Sequence, residues 1–175
     1  MAILEIRYLG DPILRRATRT MESYDDDLAR LVEDLLDTMY AAEGVGLAAP
    51  QVGDERRVAV IDVGELRDGT EAIVLVNPRV VERRGEVRSE EGCLSIPGVI
   101  ETIGRAAEVA VEYLDRAGDT RTIEGADLLA RALQHEIDHL DGILFIDHLG
   151  PLRRRLVVRE FRKALEEKGI PAGSA

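Results

Sequence analysis

Behind the acidic run Asp25–Asp27, apolar residues recur at helical spacing: Leu28, Leu31, Leu35 and Met39, with Val32 and Leu36 beside them. That period predicts an amphipathic helix from Ser23 to about Ala42, stopped by Gly44. The pattern then changes. RVAVIDV (57–63) and AIVLVNPRVV (72–81) are β-branched and apolar, AEVAVEYLD (107–115) alternates before the turn Ala117-Gly118-Asp119, and TRTIEG returns as its hairpin partner. Helical spacing resumes in Leu129, Ala132, Leu133, Glu136, Ile137 and Leu140, with Gly142 as the stop. A last helix opens at Pro151 and runs to about residue 168, leaving 171–175 as a loose tail. Strands in the middle and helices towards the ends predict an α+β fold, mostly antiparallel sheet around a central helix.

Composition narrows the class. The 175 residues contain no internal repeat and no linker, so residues 1–170 are expected to form a single domain. No stretch is long and apolar enough to cross a membrane. The opening MAILEIRYLG contains Glu5 and Arg7 and lacks a signal-peptide core, so a cytoplasmic location is expected. The single cysteine excludes an internal disulfide and suits a reducing compartment. A net charge of −11 argues against DNA binding, which needs a basic face. Locally, Pro151–Lys168 carries seven basic residues against three acids. A solvated helix face accounts for this segment, and so does contact with RNA.

Two of the three histidines, His135 and His139, stand four residues apart in QHEIDH, with Glu136 after the first. On a helix this HExxH spacing puts the imidazoles about 6 Å apart on one face, able to grip one ion. Glu136 points about 100° away, suited to a general base rather than a ligand. A catalytic site of this type needs a third protein ligand and an open position. One zincin pattern fails, because Phe145 stands where a histidine is required. Another would use Glu160, making a zinc endopeptidase. The alternative third ligand is Cys93, in EEGCLSIPG, a soft thiolate beside the small Gly92.

The words GVGLAAPQ (44–51), EGCLS (91–95) and QHEIDH (134–139), in that order, resemble the three signature motifs of the peptide deformylase family. LGDPILRR and GILFIDHL extend the resemblance to about 9–149. It implies a peptide-deformylase-like fold and a hydrolase that removes the N-formyl group from formyl-methionyl nascent chains, releasing formate. It also implies Cys93, His135 and His139 as ligands of one divalent metal, Fe(II) natively, with Zn(II), Ni(II) or Co(II) as substitutes. Glu136 then handles the proton of a water activated by the ion. Gln51 and the Leu94 N–H are the implied oxyanion donors, and Val45, Gly46 and Gly92 the implied peptide-binding positions. Gly44 and Gly46 also read physically as bare backbone against which a peptide can lie as an added strand.

Ser89, Arg131 and Ala132 depart from the usual wording and leave the side-chain pocket's shape open. Glu91 and Arg105 are candidates to pair and steady the cysteine loop. Asp138 reads as exposed charge rather than a partner of a ligand imidazole, and His148 as a surface or loop-packing histidine. A non-catalytic member that binds N-termini without turnover is the remaining alternative. The basic last helix makes transient ribosome contact a further expectation.

Overall fold

The computed structural model describes residues 2–64 and 72–167. The first helix, α1 (Asp26–Ala41), is capped by Asp25, whose side chain accepts from the Leu28 N–H at 2.8 Å. Then follow β1 (Gly46–Ala48), β2 (Val58–Ile61), β3 (Ile73–Arg84), β4 (Val87–Gly92), β5 (Ile100–Arg105), β6 (Glu108–Leu114) and β7 (Thr120–Ala126). The chain closes with α2 (Asp127–Leu140) and α3 (Pro151–Glu167). Every strand pair is antiparallel: β1-β2-β3-β6-β7 form one sheet and β4-β5 a separate ribbon.

The five-stranded sheet is covered on both faces. Leu28, Val32 and Leu35 of α1 pack with Val58, Val60, Val74 and Val76 on one side. Ala130, Leu133 and Ile137 of α2 pack with Ile61, Leu75, Val109 and Val111 on the other. β2 is therefore fully buried on both faces, which explains why VAVI is continuously apolar rather than alternating. In β3, Pro78 has no N–H for the ladder and Asn77 adopts φ +50°, so pairing with β6 shifts between Val76 and Arg79. The Asn77 side chain holds the bulge by bonding both the N–H and C=O of Met21.

A third cluster joins the ribbon to the C-terminal part. Ile96, Ile103, Leu144 and Phe145 pack with Val157, Phe161 and Leu165, the buried stripe of α3. The helix agrees with the predicted element as far as Glu167; its predicted end and the tail 171–175 lie outside the described residues. Among the described residues no helix is long and apolar enough to cross a membrane.

Candidate metal centre

Helix α2 is buried through its second half, with His135, Glu136 and His139 among its buried residues. The two imidazole centroids are 4.8 Å apart and their Nε2 atoms 3.2 Å apart. Cys93, just beyond the end of β4, brings Sγ to 3.2 Å from His139 Nε2. All three donor atoms lie within 4.8 Å of one another, and no other such cluster of metal-capable side chains occurs among the described residues. Two imidazole nitrogens and a sulfur converging this closely could hold a metal ion between them. The soft sulfur and borderline nitrogens fit a divalent transition ion. Glu160 instead stands exposed on α3 and is not among the three clustered side chains.

The orientation of His135 follows from its other nitrogen. Nδ1–H donates to Glu91 Oε1 at 2.5 Å, which turns Nε2 towards Cys93 and His139. Glu91 in turn receives Arg105 Nε at 2.8 Å on Oε2 and Nη2 at 2.6 Å on Oε1, in a pair that is almost wholly buried. Burial opposes ionisation of Glu91, but the Arg105 and His135 hydrogen bonds outweigh it and bring its pKa down to about 2. The expected Glu91–Arg105 pair is thus present, and it serves the imidazole as well as the loop. Asp138 is not the free surface charge expected: it accepts from Arg105 Nη1 and from His148 Nε2, both at 2.8 Å.

For His135, burial favours the neutral form, yet the Cys93 and Glu91 hydrogen bonds dominate and hold its pKa well above the ordinary value. Burial and the neighbouring His135 push His139 well below it. Glu136 is raised to about 7, chiefly by burial. Its Oε2 and the Nδ1 of His139 are buried without a hydrogen-bond partner in the structure.

GVGLAAPQ resolves into a short strand and a helical turn. Asp62 N–H donates to Val45 O at 2.8 Å, so Val45 and Asp62 form a bonded pair and Gly46, opposite Ile61, does not. By that alternation the Gly46 N–H and C=O face the sheet's open edge. The next outward N–H, of Ala48, is taken by Gln51 Oε1 at 2.9 Å. This bond fixes the Gln51 amide, leaving Nε2 3.6 Å from Cys93 Sγ and 3.2 Å from Ser95 Oγ. The N-terminal segment locks both motifs: Arg7 N–H donates to Gln51 O and Leu9 N–H to Ser95 O. Gly46 has a second reason to be bare, since a Cβ there would collide with the Glu136 carboxylate.

A cleft of about 490 Å³ opens onto these groups. Val45, Gly46, Gln51, Gly92, Cys93, Leu94, His135 and Glu136 all line it, which brings together every predicted site residue except His139, buried behind them. Leu128, Arg131 and Ala132 form its α2 wall, and Arg131 Nη1 donates to Glu90 O at 2.8 Å. Ser89 lies outside the lining, opposite Ile103 on the ribbon. Sequence reasoning read β1 only as bare backbone open to a peptide, and missed the strands β4 and β5, the Gln51–Ser95 contact and the Arg105–Asp138 bond.

The family described as Polypeptide deformylase matches residues 3–155. A peptide deformylase of Thermodesulfovibrio yellowstonii is 48% identical over 162 residues, covering 93% of this chain and 98% of that protein. One of Rhizobium meliloti is 46% identical over 174 residues, covering 98% and 99%. The crystal structure of a Legionella pneumophila peptide deformylase superposes with a TM-score of 0.90 at 48% identity, covering 96% of this chain and 98% of that one. A Synechococcus elongatus peptide deformylase, solved in complex with actinonin, superposes with a TM-score of 0.84 at 40% identity, covering 96% and 89%. With sequence and fold agreeing over nearly the whole length, the chain belongs to the peptide deformylase family, metal-dependent hydrolases that remove the formyl group from N-terminal methionine.

Proposed function

We propose that Cys93, His135 and His139 hold one divalent ion, natively Fe(II) with Zn(II), Ni(II) or Co(II) able to replace it, and that Glu136 is the general acid–base of deformylation. The observation that carries this reading is the convergence of Sγ and two Nε2 atoms beside a buried, partnerless carboxylate oxygen at the end of the cleft. An ion so held supplies Lewis acidity and makes water nucleophilic near neutral pH.

The chain's own groups do the rest. The formylated peptide adds a strand at the open edge of β1, pairing with the Gly46 N–H and C=O while Val45 and Gly92 flank it. Its N-terminal side chain enters the cleft along Leu128, Arg131 and Ala132. Glu136 accepts a proton as water attacks the formyl carbon, then returns a proton to the departing amine. Charge developing on the formyl oxygen is met by Gln51 Nε2, aimed by the Ala48 bond, and by the Leu94 N–H, the first amide after Cys93. Formate leaves, and the peptide retains a free N-terminus.

Oxygen-free purification, metal quantification and formate release from formyl-Met-Ala-Ser, beside Glu136→Ala, test the assignment. One ion per chain is expected in both proteins, with turnover lost only in the variant. A metal without a bond to sulfur in X-ray absorption overturns the ligand set. No formate release with Fe(II) or Ni(II) supplied returns the chain to an N-terminus-binding role.

The substrates are nascent chains in the cytoplasm, and α3 supports a docking contact with the ribosome. Arg153 and Arg154 are engaged with Glu101 and Asp147, while Arg155 and Arg159 stand on the exposed face with Lys163, itself 3.8 Å from Glu167. Because α3 also buries Val157, Phe161 and Leu165, its removal would damage the core. Arg155, Arg159 and Lys163 changed together to Ala make the cleaner test. Co-sedimentation with ribosomes is expected to fall in the variant and with added salt. Equal, salt-insensitive pelleting of both proteins removes the contact.

A further inference from the structure

Asp138 Oδ2 is shared by two donors from distant parts of the chain, Arg105 Nη1 and His148 Nε2, each at 2.8 Å. Arg105 offers its other edge, Nε and Nη2, to both oxygens of Glu91, and Glu91 Oε1 receives His135 Nδ1. We infer that His148 is a positioning residue for His135, acting through Asp138, Arg105 and Glu91; this rests on the ligand set proposed above.

A guanidinium is a rigid planar fork, so the angle at which Arg105 meets Glu91 is set by what holds its third nitrogen. That holder is Asp138, whose side chain is 19% exposed and therefore has water as a competing partner. The His148 N–H occupies the same carboxylate oxygen from outside and keeps it turned towards Arg105. His148 belongs to the turn Phe145–His148, and Phe145 stacks on the His135 ring at 6.1 Å with planes 29° apart. One turn thus braces the imidazole twice, directly through Phe145 and along the relay through His148. Partners that orient a ligating histidine set its ring angle and basicity, and their loss typically costs about 10–100-fold in metal affinity.

Anaerobic titration of the metal-free protein with Co(II), read by thiolate-to-metal absorption, tests the relay without recourse to turnover. His148→Ala is expected to weaken binding about tenfold, the lower end of such effects, and Asp138→Asn tenfold or more. His148→Gln, which keeps an N–H at similar reach, is expected to recover wild-type affinity. The His148 side chain is 35% exposed, so the thermal midpoint of metal-free His148→Ala should match wild type. Unchanged affinity in His148→Ala, or no recovery in His148→Gln, overturns the inference. If wild type lacks the sulfur absorption, or Cys93→Ser binds as wild type does, the ligand set itself is wrong and the relay falls with it.

Discussion

Gly46 lies so close to Glu136 that a Cβ added there would overlap the carboxylate and stand 2.9 Å from its Cδ. Backbone bareness at this position therefore serves two neighbours at once, the open strand edge and the Glu136 carboxylate. Gly46→Ala is expected to displace the Glu136 carboxylate and lower kcat by about a hundredfold, the low end of the range general acid–base groups contribute. Metal content should stay at the wild-type value. Undiminished kcat in Gly46→Ala would show that the carboxylate tolerates displacement.

Gln51 bonds the Ala48 N–H and is proposed to meet the formyl oxygen, and one substitution separates the two by readout. Gln51→Leu leaves the outward N–H of Ala48 without its partner, which is expected to lower stability by about 1–3 kcal/mol in chemical denaturation. It also removes a donor aimed beside Cys93, and losing one oxyanion donor raises the barrier by about 2.7–4 kcal/mol. Formate release should fall by two to three orders of magnitude, in kcat rather than KM. A loss confined to stability would remove Gln51 from the chemistry.

Cys93→Ser and Glu160→Gln discriminate the two candidate third ligands. Cys93 faces both histidines, whereas Glu160 stands exposed on α3. Metal analysis of oxygen-free preparations should find the site emptied or severely weakened in Cys93→Ser and full in Glu160→Gln. The reverse pattern would restore the endopeptidase-type set.

Asp147 gives the acid limb of stability a named contributor. Burial favours its neutral form, but hydrogen bonds from Arg15 and the Leu144 N–H outweigh this, aided by the charge of Arg154. Its folded-state pKa lies below the ordinary value, so the unfolded chain takes up the proton first as pH falls. The stabilisation is complete above the unfolded pKa of about 3.9 and is lost as pH falls through the folded value. Asp147→Asn should be less stable than wild type at pH 7 in urea unfolding, with the difference shrinking at the acid end. A pH-independent difference would assign the effect to packing alone.

Much of the fold was legible because burial imposes a local period. The stripe Leu28, Leu31, Leu35 and Met39 predicted α1, and the β6–β7 hairpin followed from alternation around Gly118. β4 escaped notice because VRSEEG is a two-stranded ribbon in which Glu91 is the buried member. A buried glutamate is stable there only beside Arg105, fourteen residues away, and no local pattern announces such a pairing. β1 is only three residues long and too short to show a period. Asp138 was misread for the same cause as β4, since its partners come from β5 and from the turn after α2.

The sequence by itself determined the chemistry on offer: two imidazoles and a carboxylate at fixed helical offsets, one thiol, and glycines where backbone must be approached closely. Helical geometry guarantees the first, because four residues return a side chain to the same face. Only the tertiary structure decided that sulfur 46 positions before His139 completes the cluster. It also decided that Gln51 turns its N–H inward and that the outlying His148 is tied to His135 through three intervening side chains. These are long-range hydrogen bonds between polar groups whose value arises from burial, and burial exists only once the sheet, the ribbon and α2 have closed around them.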